Sequence, residues 1–99
     1  MSSLTAAEIK KMVAPVLRKY GVVRAGLFGS AASRKMKRGS DVDLLVKVDD
    51  SVSLYTFVKL KQALERSLKR KVDLVEYSSL KPSLKKGILE SEVRIYEAG

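Results

Sequence analysis

The chain contains no cysteine and no histidine, and these two absences narrow the chemistry that it can perform. Without cysteine there can be no disulfide and no thiolate metal site, and without histidine the zinc sites and general bases that use imidazole are excluded. A bound metal must be held by oxygen, which favours magnesium or manganese. No apolar run approaches the roughly twenty residues of a membrane-spanning helix, and we expect no signal peptide.

Negative charge is also scarce, because 11 acidic residues face 20 lysines and arginines and the formal net charge is +9. Such an excess favours polyanions such as nucleotides, RNA or an acidic protein, and a solvated lysine-rich surface is the alternative interpretation. Four tyrosines, two phenylalanines and no tryptophan offer no evident stacking platform for single-stranded nucleic acid. A basic RNA-binding accessory protein is therefore the least favoured of three possible functions, and nucleic acid is not expected as a direct ligand.

Hydrophobic periodicity predicts one small domain, residues 1–99, in which helices alternate with strands. Thr5 and Glu8 have the spacing of a capping box and should begin an amphipathic helix that ends at Gly21. Apolar runs predict three strands and a final edge strand, over residues 22–28, 42–48, 72–77 and 93–96. The expected fold class is α/β, a mixed α+β sheet covered by helices.

Further helices are predicted in the connections between these strands. Ser30 can cap a short helix over about 31–36, and Pro82 should open another near 84–89. Asp49 and Asp50 are assigned to a turn, where they cap the helix that follows. That helix has Leu60 at the edge of an apolar face, which is formed by Leu54, Phe57, Val58, Leu64 and Leu68.

Asp41 and Asp43 are the first candidates for chemistry. Their i, i+2 spacing at the start of a strand places both carboxylates on one face, with Val42 and Leu44 on the other. Like charges this close raise each other's pKa unless a cation lies between them, and a divalent metal resolves the conflict. A turn at residues 39–41 would explain Asp41 without any function, but it would not explain Asp43.

Asp73 is the third acid embedded in a predicted strand, between Val72 and Leu74. If that strand neighbours the strand of Asp43, Asp73 can complete a site of three carboxylates, bind one metal and accept a proton from an attacking hydroxyl. The alternative is a structural acid that pairs with Lys71 or Arg70 at the end of the preceding helix.

Gly29 and Ser30 follow the first strand and can admit a phosphate, since glycine allows close approach and a helix start offers free N–H groups. A Gly-Ser pair alone is a weak signal, and its value comes from the paired acids after it. The segment between them is strongly basic and could neutralise a triphosphate, although a solvated loop is the alternative; its cations are Arg34, Lys35, Lys37 and Arg38.

The spacing of Gly29-Ser30, ten intervening residues and Asp41-Val42-Asp43 resembles the signature of minimal nucleotidyltransferases of the DNA polymerase beta superfamily. The resemblance covers essentially the whole chain and implies the nucleotidyltransferase fold. It implies that Gly29 and Ser30 hold the nucleotide phosphates, with Arg34 and Ser40 as further nucleotide-binding residues. The implied metal and catalytic residues, which would hold two magnesium or manganese ions, are Asp41, Asp43 and Asp73.

The implied reaction moves a nucleoside monophosphate, expected to be AMP from ATP, to a hydroxyl and releases pyrophosphate. Chains of this size are similar to the antitoxins of HEPN–MNT toxin–antitoxin pairs, which act in the prokaryotic cytoplasm and modify a tyrosine of the HEPN ribonuclease toxin. With 99 residues there is little chain beyond a catalytic core. We therefore expect the acceptor to bring its own binding surface, as a partner protein would.

A binding module of the same fold, which neutralises its partner by contact and has weak catalysis, is the second function considered. Ser33 and Arg34 stand where this family often shows Arg and Gly, and that departure favours the binding module. The nucleotide preference, the acceptor residue and the oligomeric state are left open by the sequence.

Overall fold

The computed structural model describes residues 5–28 and 41–98. The helix predicted over about 31–36 lies outside these residues. In chain order the helices are α1 (Ala6–Lys19), α2 (Leu54–Leu68) and α3 (Pro82–Ser91), and a 3-10 helix spans Tyr77–Ser79. The strands are β1 (Val22–Phe28), β2 (Val42–Val48), β3 (Val72–Glu76) and β4 (Val93–Glu97).

The four strands form one mixed sheet in the order β3-β2-β1-β4. Strand β1 is antiparallel to both β2 and β4, whereas β2 and β3 are parallel. A parallel pair needs a crossover connection, and α2 supplies it. The mixed sheet with helices confirms the predicted fold class. One consequence matters for the site: β2 and β3 both begin at the end of the sheet where β1 finishes.

One face of the sheet packs against α1 and α2 and forms the hydrophobic core. Val42, Leu44 and Val46 alternate along β2 and are fully buried on this face. Each buried leucine or valine contributes about 1.5–3 kcal/mol relative to an exposed one. From α1 and α2 the core receives Ile9, Val13, Leu17, Leu60, Leu64 and Leu68.

The ends of α1 follow the predicted chemistry. Thr5 accepts the Glu8 amide at 3.1 Å, and the Glu8 carboxylate accepts the Thr5 amide at 2.8 Å, so the capping box is confirmed. At the other end Tyr20 is the C-cap, and Gly21 follows with a φ of 73°, a left-handed conformation that glycine adopts without steric cost.

The apolar face predicted for α2 is wrong in part. Leu54 is 78% exposed and Val58 is 45% exposed, whereas Leu60, which was placed at the edge, is 1% exposed. The reason is that all fully buried residues of α2 lie in its second half: none of residues 54–59 is buried, and among them only the partly buried Phe57 packs against the core. The buried stripe therefore begins at Leu60 and continues at i+4 and i+8.

Two boundaries also differ from the sequence prediction. Ser53, and not Asp49 or Asp50, caps α2 by accepting the Thr56 amide at 3.2 Å. Tyr77 opens the 3-10 helix instead of ending β3. The short helix near Pro82 is confirmed as α3, and none of its residues is buried. Within residues 5–28 and 41–98, no helix is long and apolar enough to cross a membrane.

Candidate active site

Three strands bring the end of β1 and two of the predicted acids into one row. The Cα of Phe28, the last residue of β1, pairs with Asp43 of β2. Asp43 pairs in turn with Asp73 of β3. Neighbouring strands lie about 4.8 Å apart, so these residues are immediate neighbours. The strand adjacency on which the prediction for Asp73 depended is therefore confirmed, while its role in a site stays a prediction.

The starts of β2 and β3 are tied together and to α2. The Val42 amide donates to the Lys71 carbonyl at 2.9 Å, and the Val72 amide donates to the Glu65 carboxylate at 3.0 Å. Val42 and Val72 both belong to the core. Because side chains alternate along a strand, Asp43 and Asp73 project from the opposite face, away from α1 and α2.

The surroundings of the Asp43 carboxyl disfavour its ionised form. Burial raises the pKa of the half-buried Asp43 carboxyl above its ordinary value of 3.8, and the negative charges of Asp73 and Asp41 raise that pKa further. Three acids at one end of a sheet repel each other, and a bound cation would relieve the repulsion. Their donor atoms are all oxygen, as hard divalent cations prefer.

The acids are adjacent along the strands, but their side chains are not gathered around a point. In the described part of the chain, no group of three or more acidic side chains is placed so that it could hold a metal ion. The residues fit a divalent cation in their donor chemistry and in their positions on neighbouring strands.

The predicted nucleotide-binding residues Gly29, Ser30, Arg34 and Ser40 lie outside the described residues. The described residues on either side of them are Phe28, which is the Cα partner of Asp43, and Asp41, which is exposed.

Asp49, which is predicted to lie in a turn, and Glu76 of β3 both lie away from this row. Asp49 follows the far end of β2 and accepts the Ser51 amide at 2.9 Å in a turn. That backbone hydrogen bond, together with one from the Ser51 side chain, lowers the pKa of Asp49 below its ordinary value. Glu76 lies at the end of β3 and pairs with Val46 of β2. Neither residue is near the end of the sheet where Asp43 lies.

Sequence reasoning missed Glu92, whose side chain is only 4% exposed. Its carboxylate accepts a hydrogen bond from the Tyr77 hydroxyl and forms an ion pair with Arg94 at 3.5 Å. It lies directly over Gly26 of β1, where any Cβ atom would collide with it. Glu92 thereby connects the end of α3 to the site face, which is the face of the sheet from which Asp43 and Asp73 project. A glycine inside a buried strand was the only signal in the sequence.

Comparisons with known proteins agree with this geometry. The sequence model of the family described as Polymerase beta, Nucleotidyltransferase matches residues 11–99. A protein of Methanocaldococcus jannaschii, provisionally named a protein adenylyltransferase, is 43% identical over 88 residues, which are 89% of this chain and 95% of that protein. Protein adenylyltransferase MntA of Thermococcus cleftensis is 36% identical over 99 residues, covering 96% of this chain and all of the relative.

A solved structure shares the fold. It is a chain of the complex of the tri-AMPylated HEPN toxin of Shewanella oneidensis with its MNT antitoxin, and it superposes with a TM-score of 0.71. The match covers 95% of this chain and 74% of that chain at 21% identity, so it shows likeness of fold alone.

Proposed function

Since this chain belongs to the polymerase beta nucleotidyltransferase family, we propose that it is a metal-dependent protein adenylyltransferase. The observation that carries the proposal is the row of Phe28, Asp43 and Asp73 across three strands. It brings Phe28, which directly precedes the proposed phosphate-binding residues in the sequence, and two of the proposed metal ligands to one end of the sheet. The two relatives named as protein adenylyltransferases support the reaction type.

In the proposed site Asp41 and Asp43 would hold two divalent cations, and Asp73 would bind one of them. Magnesium is the proposed ion, with manganese as a substitute, since only oxygen ligands are present. When bound, the cations supply charge neutralisation at the phosphates and at the leaving oxygen. Gly29 and Ser30 bind the phosphates through backbone N–H groups and a hydroxyl, and Arg34 and Ser40 complete the nucleotide contacts.

The acceptor is a hydroxyl, which we propose to be a tyrosine of a HEPN-family toxin. Its oxygen forms a bond to the α-phosphorus of ATP, while the bond from that phosphorus to the bridging oxygen breaks and pyrophosphate leaves. Asp73 takes the hydroxyl proton, because it lies beside Asp43 and is exposed to an incoming group. The modified toxin is silenced, so the chain acts as an antitoxin in the cytoplasm of a prokaryotic cell.

The experiment uses α-labelled ATP, magnesium, the purified chain and a purified HEPN-family protein from the same organism. Label should appear on the HEPN-family protein and should be lost in Asp41→Asn, Asp43→Asn and Asp73→Asn. Asp49→Asn is the matched control, because it removes the same charge from the turn at the far end of β2. Absence of label with the intact chain, magnesium and ATP would contradict the proposed adenylyltransferase activity.

Neutralisation by contact alone is the second candidate, and the departure at Ser33 and Arg34 from the usual family pattern favours it. In that case Asp43→Asn would still bind the HEPN-family protein and suppress its ribonuclease activity. Loss of suppression in a folded Asp43→Asn variant would exclude this candidate.

A further inference from the structure

We propose that the site face carries a second ligand site, for a phosphate group, formed by Arg24, Lys47 and Lys85. It lies toward the end of the sheet opposite the three acids, and it does not depend on the proposed adenylyltransferase activity. Lys47 follows Asp43 by four residues along β2, which is a distance of about 13 Å. A phosphate bound there would not contact the three carboxylates.

The strand register creates the first two parts of this site. Arg24 of β1 and Lys47 of β2 are Cα partners in the antiparallel pair, so their side chains stand side by side on the same face. Directly opposed like charges destabilise a sheet. Within residues 5–28 and 41–98, neither side chain forms an ion pair. An anion between them would turn this repulsion into attraction.

The second observation concerns the guanidinium group of Arg24. Its guanidinium stacks on the Tyr77 ring at 4.7 Å from the ring centroid, which fixes its position. Its Nε atom is buried and, in the described part of the chain, has no hydrogen-bond partner. Buried donors are nearly always satisfied, so an orphaned guanidinium nitrogen indicates a missing acceptor. A phosphate oxygen is a suitable acceptor, because the planar fork of arginine matches it.

The third observation is a cavity of about 280 Å³ that includes both cations. Lys85 of α3 also lines this cavity, so cations from three separate elements contribute to its wall. Asp50 and Glu76 also line it, but neither is ion-paired to these cations and the cations outnumber them. The volume suits a small ligand, such as inorganic phosphate or the phosphate end of a nucleoside monophosphate.

The test is a titration with sodium phosphate in EDTA, followed by calorimetry and by thermal unfolding. Sodium chloride at matched ionic strength controls for salt screening, and the lysine variants control for the general stabilisation that phosphate causes through exclusion from protein surfaces. Saturable binding is expected for the wild type, and it should weaken about tenfold or more in Lys47→Gln and in Lys85→Gln, since a hydrogen bond to a charged group is lost. Both lysines are exposed, so both variants should fold.

Two further variants locate the site. Lys61→Gln, an exposed lysine of α2, should bind phosphate as the wild type does. Asp43→Asn should also retain phosphate binding, which separates this site from the proposed metal site. AMP in place of phosphate tests the nucleotide source, and binding that is tighter than that of phosphate and weakened in Lys47→Gln would identify a nucleoside monophosphate as the ligand of this site. Absence of saturable binding, or equal weakening in Lys61→Gln, would overturn the proposal.

Discussion

Replacing Asp43 by asparagine should stabilise the metal-free protein and abolish its response to magnesium. The amide has nearly the same shape as the carboxylate and keeps its hydrogen-bonding capacity, so the main change is the loss of one negative charge. Burial raises the pKa of Asp43, and Asp73 and Asp41 raise it further. The ionised form of Asp43 is therefore less favourable in the folded chain than in the unfolded chain.

The magnitude follows from the strand geometry. Two charges about 5 Å apart interact by about 1 kcal/mol in a water-like dielectric, and physiological salt reduces this by about half. Asp43 is half-buried and its neighbours Asp41 and Asp73 are exposed, so solvent screening applies. We expect a gain of about 0.5–1 kcal/mol in the free energy of unfolding, which is a rise in Tm of about 2–8 °C for a domain of this size.

The assay is thermal unfolding in EDTA and in a magnesium series, for the wild type, Asp43→Asn and Asp49→Asn. Magnesium should raise the Tm of the wild type and leave that of Asp43→Asn unchanged. Asp49→Asn removes the same charge, but its carboxylate is held by the Ser51 amide and its pKa is lowered, so this variant should gain nothing. Equal gains in both variants would show a general effect of net charge and would refute the argument.

The pH dependence of the stability of Asp43→Asn provides a second test. A carboxyl whose folded-state pKa is raised contributes stability that is fully present below its unfolded pKa and is lost as the pH rises through the folded value. The advantage of Asp43→Asn should therefore be absent below about pH 3.8, the ordinary value, grow as the pH rises toward the raised pKa, and be complete above it. An advantage that persists in acid would mean that shape, and not charge, distinguishes asparagine here.

Three substitutions test the elements that support the site, each by urea unfolding. Gly26→Ala should cost about 1–3 kcal/mol, because its Cβ would collide with the Glu92 carboxylate, and retained stability would show that Glu92 can move aside. Glu65→Ala should cost about 1–3 kcal/mol and speed hydrogen exchange at the Val72 amide, which loses its acceptor, while Glu65→Gln should restore both. Leu44→Ala removes a fully buried side chain, so about 2–5 kcal/mol should be lost, and a loss below 1 kcal/mol would contradict the assigned core.

The sequence was sufficient for β1 and β2, where the predicted bounds agree with the structure. Their apolar runs are nearly continuous because the two strands are central in the sheet and largely buried on both faces. An acid inside such a run is conspicuous, and for that reason Asp43 could be singled out. The register that pairs it with Asp73 could not be derived, because it depends on how α2 crosses between the strands.

Features that depend on contacts between distant parts of the chain could not be predicted from the sequence. The face of α2 is predicted wrongly in part because Leu54 and Val58 have helical spacing, and spacing alone does not show which residues along a helix become buried. Glu92 was missed because its partners come from distant parts of the chain, including Gly26 of β1. A charged residue near the end of a short helix gives no local sign that it will be buried.

The site face holds like charges together at two places, and Leu45 explains how both arrangements persist. On β2 the residues that point to this face are Asp43, Leu45 and Lys47, with the acids on one side of Leu45 and the Arg24–Lys47 pair on the other. Leu45 is fully buried although it is not part of the core on the opposite face. It separates Asp43 from Lys47, so the acid and the base do not neutralise each other. We therefore expect each cluster to keep its charge for a ligand of the opposite sign, a cation at the acids and an anion at the bases.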